Sequence, residues 1–298
     1  MNIILLHGSV ETSTDVPFLQ GLEKSGSAAA HALCSGDVLD AAEAGVRELE
    51  DNPLFNAGYG SVPNRDGNVE MDASIMDGRT GRCGAVAAIQ EVRHPVSVAR
   101  KVMEDTPHVI LAGQGALQFA RENGFPYFNP LSDMQHQNWK NAVAPKREQF
   151  QTAYSLFTGI PKACDTVGCV VYSDGDLAAA SSTGGSFLKL PGRVGDTPVI
   201  GGGIYANKHA AVVCTGLGEE FIRLHGASAV VEQIAQGVAV DKAAEHMIEA
   251  VSQSKVTGGI LVVDSKGNFA AFHNSDSFPV VLMINGNRIA DFEPDCIT

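Results

Sequence analysis

The chain has little of several features that mark particular classes of protein. Only six of its 298 residues are cysteine, and no apolar run approaches the roughly 20 residues that a membrane span needs. Basic residues are also scarce: 21 Lys and Arg stand against 34 Asp and Glu, which gives a net charge of −13. A chain this acidic repels nucleic acid and anionic membranes, so we expect neither of them as a partner.

The cysteines form no metal or redox motif. They lie mostly within apolar runs and include no CxxC pair, at Cys34, Cys83, Cys164, Cys169, Cys214 and Cys296. This spacing favours buried thiols in a reducing compartment over disulfides or a zinc site. The N-terminal stretch MNIILLHGS carries no basic leader, so we expect a first strand there rather than a signal peptide. A cytoplasmic location is the corresponding expectation.

The hydrophobic pattern predicts an α+β fold. Hydrophobic residues make up 44% of the chain and charged residues 18%, which supports a sizeable core in one large layered domain. In the first half, the pattern predicts strands at 2–6, 69–77 and 84–90 and helices at 36–51, with Asp37 as N-cap, and at 94–105.

The second half of the chain follows an irregular stretch at 129–164. A hairpin is predicted from two runs, VGCVVYS and DLAAASST, that meet near Asp174-Gly175. Further strands are predicted at 198–206, 209–216, 258–265, 267–273 and 280–290, the last of which contains a turn signal at Asn285-Gly286. Two helices are predicted at 218–237 and 240–253. Hairpins with helices inserted in pairs indicate two mainly antiparallel sheets covered by helices.

A threonine begins the first strand after the irregular stretch. In ACDTVGCVV, Asp165-Thr166 directly precedes the apolar run. A hydroxyl is a weak nucleophile without a base, but an N-terminal Thr carries its own base, an α-amino group with a pKa of about 7.7–8. That amine exists only after the 165–166 bond is cut, so we hypothesise that the Thr166 hydroxyl first attacks the Asp165 carbonyl. Taken alone, Thr166 is also typical of a strand that simply begins with a branched residue.

Polar residues with related chemistry follow. SSTGG ends the neighbouring strand with the hydroxyls of Ser181, Ser182 and Thr183. GRVGD then places Arg193 and Asp196 in a loop bracketed by glycines, where they could hold the carboxylate and ammonium of an amino acid. A surface ion pair is the alternative interpretation of these two residues.

CTGLGEE supplies a further candidate. Thr215 and the Gly216 backbone precede a predicted helix, a place suited to stabilising an oxyanion. An ordinary glycine turn into a helix is the alternative.

Together these motifs resemble those of the plant-type L-asparaginase and isoaspartyl peptidase family of N-terminal nucleophile hydrolases. The resemblance covers nearly the whole chain and includes DTVGCV, AAASSTGG, LPGRVGDTPVIGGGIYA, TGLGEEFIR and, in the first half, NPLFNAGYGSV and VEMDASIMDG. It implies that Thr166 is the nucleophile and that Thr183 is a second active-site threonine. It also implies that Arg193 and Asp196 clamp the substrate, and that Thr215 and Gly216 line the site. Asn56 matches a family asparagine near the nucleophile.

The resemblance also implies an architecture and an activity. The fold would be a four-layer αββα sandwich in a single domain, cut into an α subunit, 1–165, and a β subunit, 166–298, with a flexible linker at about 129–165. The enzyme would be a dimer of αβ units, a heterotetramer. It would hydrolyse the side-chain amide of L-asparagine and β-aspartyl dipeptides through an acyl-enzyme on Thr166.

No cofactor for catalysis is implied, but a structural sodium ion is. Backbone carbonyls would hold it, at positions Leu49, Glu50, Asn52, Phe55, Ala57 and Tyr59.

The sequence departs from the family in its first loop. The family has HGGAG, whereas here His7 is followed by GSVET, so we expect Ser9 and Val10 to alter the cleavage rate or the substrate pocket. Cys169 replaces a small alanine, a lesser change.

Other hydrolases and other classes stay open as alternatives. Glycosylasparaginase-like amidases have a sequence like STNG at the position where this chain has STGG. Taspases lack an aspartate at the position of Asp196. A relative that binds amino acids without cleavage or catalysis is a further alternative. The hypothesis of a metal protein that uses some of the nine histidines has less support, because the histidines are not spaced as metal ligands usually are.

Overall fold

The computed structural model describes residues 1–143, 166–290 and 292–297. The elements of the first range are β1 Asn2–His7, α1 Val16–Ser35, α2 Val38–Glu50, a 3₁₀ turn Gly58–Gly60, β2 Met71–Asp77, β3 Cys83–Ile89, α3 Pro95–Asp105, β4 Ile110–Ala112, α4 Gly113–Glu122 and α5 Asp133–Val143.

The elements of the second half complete two sheets. They are β5 Thr166–Ser173, β6 Asp176–Thr183, β7 Ile204–Ala206, β8 Ala210–Gly216, α6 Gly218–Leu224, α7 Gly226–Ala235, α8 Val240–Gln253, β9 Gly258–Asp264, β10 Phe269–His273, β11 Val280–Ile284, β12 Asn287–Arg288 and β13 Asp295–Cys296. One sheet has the order β12-β11-β1-β5-β6-β2-β3-β4, and the other has β13-β10-β9-β8-β7. Strands β1, β5, β6 and β2 pair antiparallel in the middle of the larger sheet.

Alternation along the strands builds the layers. In β1, Ile4 and Leu6 pack with the helices α1 to α4, whereas Ile3 and Leu5 pack toward the second sheet. This period of two places a core on each face of the larger sheet. A third core lies between the smaller sheet and its helices. The αββα sandwich predicted from the sequence is therefore confirmed.

Local chemistry explains how α2 begins. The Asp37 carboxylate accepts hydrogen bonds from the backbone N–H groups of Leu39 and Asp40, at 2.9 and 3.0 Å, and the Asp40 carboxylate accepts one from Asp37 N–H. This capping box satisfies N–H groups that have no partner inside the helix. The prediction of Asp37 as N-cap is confirmed, and the helix delivers Glu50 to the base of the larger sheet.

Several predicted boundaries are wrong. The single helix expected at 218–237 breaks at His225, which adopts the left-handed conformation with φ of 51°. The strand expected at 198–206 is reduced to Ile204–Ala206, because the glycines before it form a turn. The stretch 129–164 was expected to be irregular, but 133–143 forms α5, and 144–164 lies outside the described residues.

The structure also tests the predictions on turns, thiols and membrane spans. The Asp174-Gly175 hairpin and the Asn285-Gly286 turn are confirmed, with positive φ at all four positions. Buried thiols are confirmed for Cys169 and Cys214, but Cys34 and Cys296 are exposed and the prediction is wrong there. Across 1–143, 166–290 and 292–297, no helix combines the length and apolar character that crossing a bilayer requires.

Candidate active site

Two predicted threonines lie opposite each other in the larger sheet. Thr166 begins β5, the residue that ends β6 is Thr183, and the two are register partners. Thr183 is in turn the partner of Asp72 in β2. Thr166 is 4% exposed and Thr183 2% exposed, so both hydroxyls are shielded from bulk water. Asp165, the other half of the predicted cleavage site, lies outside the described residues.

Thr215 reaches the same end of the molecule from the second sheet. Strand β8, which carries it, packs against β5 and β6. Gly168 permits this approach, because a Cβ built there would lie 2.9 Å from Val213 Cγ2 and 2.4 Å from His7 Nε2. The Thr215 hydroxyl is fully buried and lies 2.9 Å from Ser9 Oγ, in the loop after β1. We call Thr166, Thr183, Thr215 and Ser9 the hydroxyl cluster.

The glycine after Thr215 is required by its backbone. Gly216 has φ of 128°, and a Cβ there would lie 2.4 Å from the Thr257 carbonyl oxygen. The backbone of Gly216 therefore turns where no other residue would fit, directly between Thr215 and the start of α6.

Asn56 fastens the segment that follows Thr183. Its Nδ2 donates to the Gly185 carbonyl at 2.7 Å, its Oδ1 accepts from Val62 N–H at 2.8 Å, and its backbone carbonyl accepts from Gly184 N–H at 2.9 Å. The Thr183 hydroxyl itself accepts from Gly185 N–H at 2.9 Å. Asn56 thus holds the Thr183 segment rather than lying at the surface.

The predicted clamp residues lie at the other side of the site. Arg193 forms a bidentate ion pair with Glu219, in which Nε lies 3.0 Å from Oε1 and Nη2 lies 2.8 Å from Oε2. Asp196 is buried, and within the described residues its Oδ2 has no hydrogen-bond partner. Burial raises the pKa of Asp196 to about 7, although the Arg193 charge acts in the opposite direction. An ammonium group brought beside Asp196 would stabilise its ionised form.

Acidic residues around β2 hold the loop that carries the clamp. We call 192–196 the clamp loop. Glu70 Oε2 accepts from Gly192 N–H at 2.9 Å, and Asp72 Oδ2 accepts from Gly195 N–H at 3.2 Å, so the backbone is held on both sides of Arg193. The other Asp72 oxygen accepts from Ala88 N–H at 2.8 Å. These bonds fix the loop against the strand that also pairs with Thr183.

A buried cation accompanies these carboxylates. The Lys189 side chain is fully buried and its Nζ donates to the Glu70 carbonyl at 2.7 Å. Burial lowers the pKa of Lys189 and raises that of Asp72, and the attraction between the two charges opposes both shifts. The clamp side of the site therefore contains both acidic and basic side chains, and Arg193 and Glu219 among them form an ion pair.

His7 lies beside the backbone of strand β5, which begins at Thr166. It is fully buried, lies against Phe278 with ring centroids 5.5 Å apart and ring planes tilted by 43°, and is the register partner of Gly168. Burial lowers the pKa of His7 to about 3, with the Thr166 backbone acting in the opposite direction. No ring nitrogen of His7 has a well-formed hydrogen bond to a described residue. At neutral pH the ring is uncharged.

A second buried network lies under β6. Glu50 Oε1 accepts from the Ser182 hydroxyl at 2.6 Å and from Val96 N–H at 3.0 Å, and Oε2 lies 3.4 Å from His94 Nδ1. Burial raises the pKa of Glu50, while His94 and the hydrogen bonds oppose that shift. Ser182 precedes Thr183, so this network anchors the end of α2 to the strand that carries the second threonine.

The sodium ion that the resemblance implies would lie in the loop after α2. A Cβ at Gly58 would lie 2.4 Å from the Glu50 carbonyl oxygen, and one at Gly60 would lie 2.1 Å from that of Phe55, so the loop folds back over these oxygens. Each carbonyl has two lone pairs, and the carbonyls of Leu49, Asn52, Phe55 and Ala57 each accept one backbone N–H. Neutral oxygens suit a hard cation of low charge. No cluster of His, Cys, Asp or Glu suited to a metal occurs in the part of the chain that the structure describes.

Sequence reasoning missed several residues that build the site. They are Glu70, Asp72, Lys189 and Glu219 around the clamp, and the side chain of Glu50 under β6. Alternation within VEMDASIMDG could have pointed to Asp72, because a carboxylate in a fully buried strand needs partners. The contact of Ser9 with Thr215 had no sequence signal, since 206 positions separate them.

Comparison with known proteins identifies the family. The family model described as asparaginase matches residues 2–291. The chain is 41% identical over 297 residues to a plant-type L-asparaginase of Pyrococcus abyssi (strain GE5 / Orsay), covering 96% of this chain and 97% of that protein. It is 40% identical over 278 residues to an isoaspartyl peptidase/L-asparaginase of Rattus norvegicus, covering 92% and 82%. A Homo sapiens protein of the same description is 41% identical over 266 residues, covering 88% and 85%. The family predicted from the motifs is confirmed, and the chain belongs to the asparaginase family.

Proposed function

We propose that the protein hydrolyses the side-chain amide of L-asparagine and the isopeptide bond of β-aspartyl dipeptides. The products are L-aspartate with ammonia or with an amino acid. The observation that carries the proposal is the pairing of Thr166 with Thr183 at one end of the central hairpin, in a chain that belongs to the asparaginase family. Both substrates are supported by the names of relatives, one a plant-type L-asparaginase and the other an isoaspartyl peptidase/L-asparaginase.

Activation would be a self-cleavage before Thr166. The Thr166 hydroxyl attacks the Asp165 carbonyl, the peptide nitrogen leaves as the Thr166 amine, and water hydrolyses the ester that remains. The chain is thereby divided into 1–165, with a new carboxylate, and 166–298, with a new amine. That amine is the base that the hydroxyl lacks in the precursor.

Turnover would use the same hydroxyl on the substrate. The Thr166 amine accepts the hydroxyl proton while the oxygen attacks the side-chain carbonyl of asparagine. The tetrahedral oxyanion is stabilised by Thr215 and the Gly216 backbone, and the amine then gives its proton to the departing ammonia. Water, activated by the same amine, hydrolyses the ester on Thr166 and releases aspartate.

The clamp side would hold the amino-acid end of the substrate. Arg193 binds the α-carboxylate in the manner in which it now binds Glu219, and buried Asp196 binds the α-ammonium. The ion pair with Glu219 keeps the guanidinium oriented in the absence of substrate. The neutral ring of His7 avoids a competing positive charge beside the new Thr166 amine.

The remaining expectations concern the ion, the assembly and the location. A sodium ion held by the carbonyls of the loop 49–59 would brace the end of α2 and take no part in the reaction. The assembly would be a dimer of αβ units in the cytoplasm. Five free thiols in the described part of the chain support a reducing compartment.

The experiment that tests the proposal follows two products at once. Purified protein is incubated with L-asparagine or a β-aspartyl dipeptide, and ammonia and aspartate are quantified, with L-glutamine and the α-linked dipeptide as matched controls. We expect products only from the side-chain-linked substrates. Saturable binding of asparagine without release of either product would favour the amino-acid-binding alternative instead.

A further inference from the structure

Ser9 occupies a backbone position that favours glycine. Its φ is 103°, in a region that residues with a Cβ rarely adopt, and its side chain is fully buried. Strain of this kind persists only where the surroundings fix the conformation, and it concentrates at functional sites. A serine at such a position needs a compensating interaction.

The loop around Ser9 is fixed from both directions. Gly8 N–H donates to the Pro279 carbonyl at 3.1 Å, and Glu11 N–H donates to that of Ser277 at 2.8 Å. The Thr12 hydroxyl donates back to the Gly8 carbonyl at 2.9 Å. These bonds hold the backbone in place whatever the side chain at position 9, so they do not account for the serine.

The serine hydroxyl is directed at the candidate site. Its Oγ lies 2.9 Å from Thr215 Oγ1 and 3.2 Å from the Val10 carbonyl oxygen. Each hydroxyl carries one proton. When Ser9 donates to Thr215, the Thr215 proton becomes available to another acceptor; when Ser9 donates to Val10, Thr215 can donate to Ser9.

We propose that Ser9 is a positioning residue that makes the Thr215 hydroxyl a hydrogen-bond donor to the substrate's reacting carbonyl oxygen. This inference rests on the proposed function, because it assigns the oxyanion to Thr215. In the resting site Thr215 donates to Ser9, and Ser9 donates to the Val10 carbonyl. When negative charge develops on the substrate oxygen, Ser9 gives its hydrogen bond to Thr215 and Thr215 gives its own to the oxyanion. No proton is transferred between Ser9, Thr215 and the substrate. Ser9 sets only the direction of its hydrogen bond to Thr215 and of the one from Thr215 to the oxyanion.

Two variants separate this role from a structural one. Ser9→Ala removes the hydroxyl and keeps the strained backbone, whereas Ser9→Gly removes the hydroxyl and relieves the strain. A single oxyanion donor is worth about 100-fold or more in kcat, and an indirect contributor less, so we expect both variants to lower kcat about 10-fold with KM within about 2-fold. Ser9→Gly should at the same time raise the melting temperature by about 2 °C or more.

Lys255→Gly is the matched control for relief of strain. Lys255 has φ of 56°, is exposed and lies in the turn between α8 and β9. This variant should raise the melting temperature in the same direction and leave kcat and KM unchanged. Activity is expressed per cleaved chain, with the cleaved fraction taken from intact mass.

Cutting before Thr166 is also an acyl transfer through an oxyanion, so its rate is measured in each variant. Slower cutting or lower kcat in Ser9→Gly, combined with a higher melting temperature, supports the proposal. It is overturned if both rates match wild type, or if Ser9→Gly loses activity and stability together. If wild-type protein releases no product, the proposed function fails instead, and the two failures are distinguishable.

Discussion

The two sides of the candidate site differ in charge. The hydroxyl cluster consists of neutral groups at strand ends, and the adjoining His7 ring is kept uncharged by burial. The clamp side contains Arg193, Asp196 and Glu219, and Asp72 with Lys189 lies behind the clamp loop. This difference suggests a division of labour in which charge selects an amino acid and neutral hydroxyls carry out the acyl transfer. Substitutions in the hydroxyl cluster should therefore alter kcat, and substitutions on the clamp side should alter KM.

The largest effect is expected from Thr166→Ala. It removes the proposed nucleophile, so cutting should cease and kcat should fall at least about 10³-fold. Ammonia release and gel analysis of the chain measure the two steps. Thr166→Ser is the control that keeps a hydroxyl and should retain part of both activities. Substantial turnover by Thr166→Ala would exclude Thr166 as the nucleophile.

Arg193→Lys tests the charged side. Lysine keeps the positive charge but cannot make two parallel bonds to a carboxylate, so KM for asparagine should rise about 10–100-fold with kcat within a few-fold. Glu219→Gln is the companion variant, because it loosens the pair that holds Arg193 without changing the guanidinium. We expect a much smaller rise in KM. A fall in kcat at constant KM in Arg193→Lys would contradict the division between the two sides.

Asp196 should make ligand binding depend on pH. Because its native pKa is raised to about 7, the native state keeps this proton to higher pH than the unfolded chain, and ionisation costs stability as pH rises from about 4 to about 7. A bound ammonium offsets that cost. The dissociation constant for L-aspartate should therefore fall about 10-fold between about pH 6 and pH 8, measured by calorimetry. Asp196→Asn should bind weakly with no such dependence; a wild-type-like profile would remove Asp196 from the clamp.

The smallest effect on activity is expected from Asp72→Asn. An asparagine side chain has one oxygen to replace two that accept N–H groups, so unfolding free energy should fall by about 1–3 kcal/mol and KM should rise about 3-fold. Asp176→Asn, at a partly exposed position that begins β6, is the control and should change stability by less than about 0.5 kcal/mol. Denaturant titration and steady-state kinetics provide the values. Equal stability in both variants would show that Asp72 does not hold the clamp loop.

The fold was predictable where the hydrophobic pattern was strong. Alternation in the strands and the turns at Asp174 and Asn285 were sufficient to indicate two antiparallel sheets. Helix α1 escaped prediction because glycine, serine and alanine dominate its middle and weaken the helical period. The break at His225 escaped because a left-handed residue other than glycine has little sequence signature.

The site was predictable only as far as its motifs. Thr166, Thr183 and Arg193 stand in short blocks that the sequence displays directly. Their partners are set by tertiary packing: Glu219 reaches Arg193 across 26 positions and Ser9 reaches Thr215 across 206. A contact between distant segments depends on how sheets and loops pack, and no local pattern encodes it.

The central claim is that the Thr166 hydroxyl becomes reactive only when its own nitrogen is a free amine. Intact mass spectrometry of the active protein tests this most directly. We predict two chains, 1–165 and 166–298, whose masses sum to that of the intact chain plus one water, and activity that rises in proportion to the cut fraction. Full activity in protein whose 165–166 bond is intact would contradict the claim.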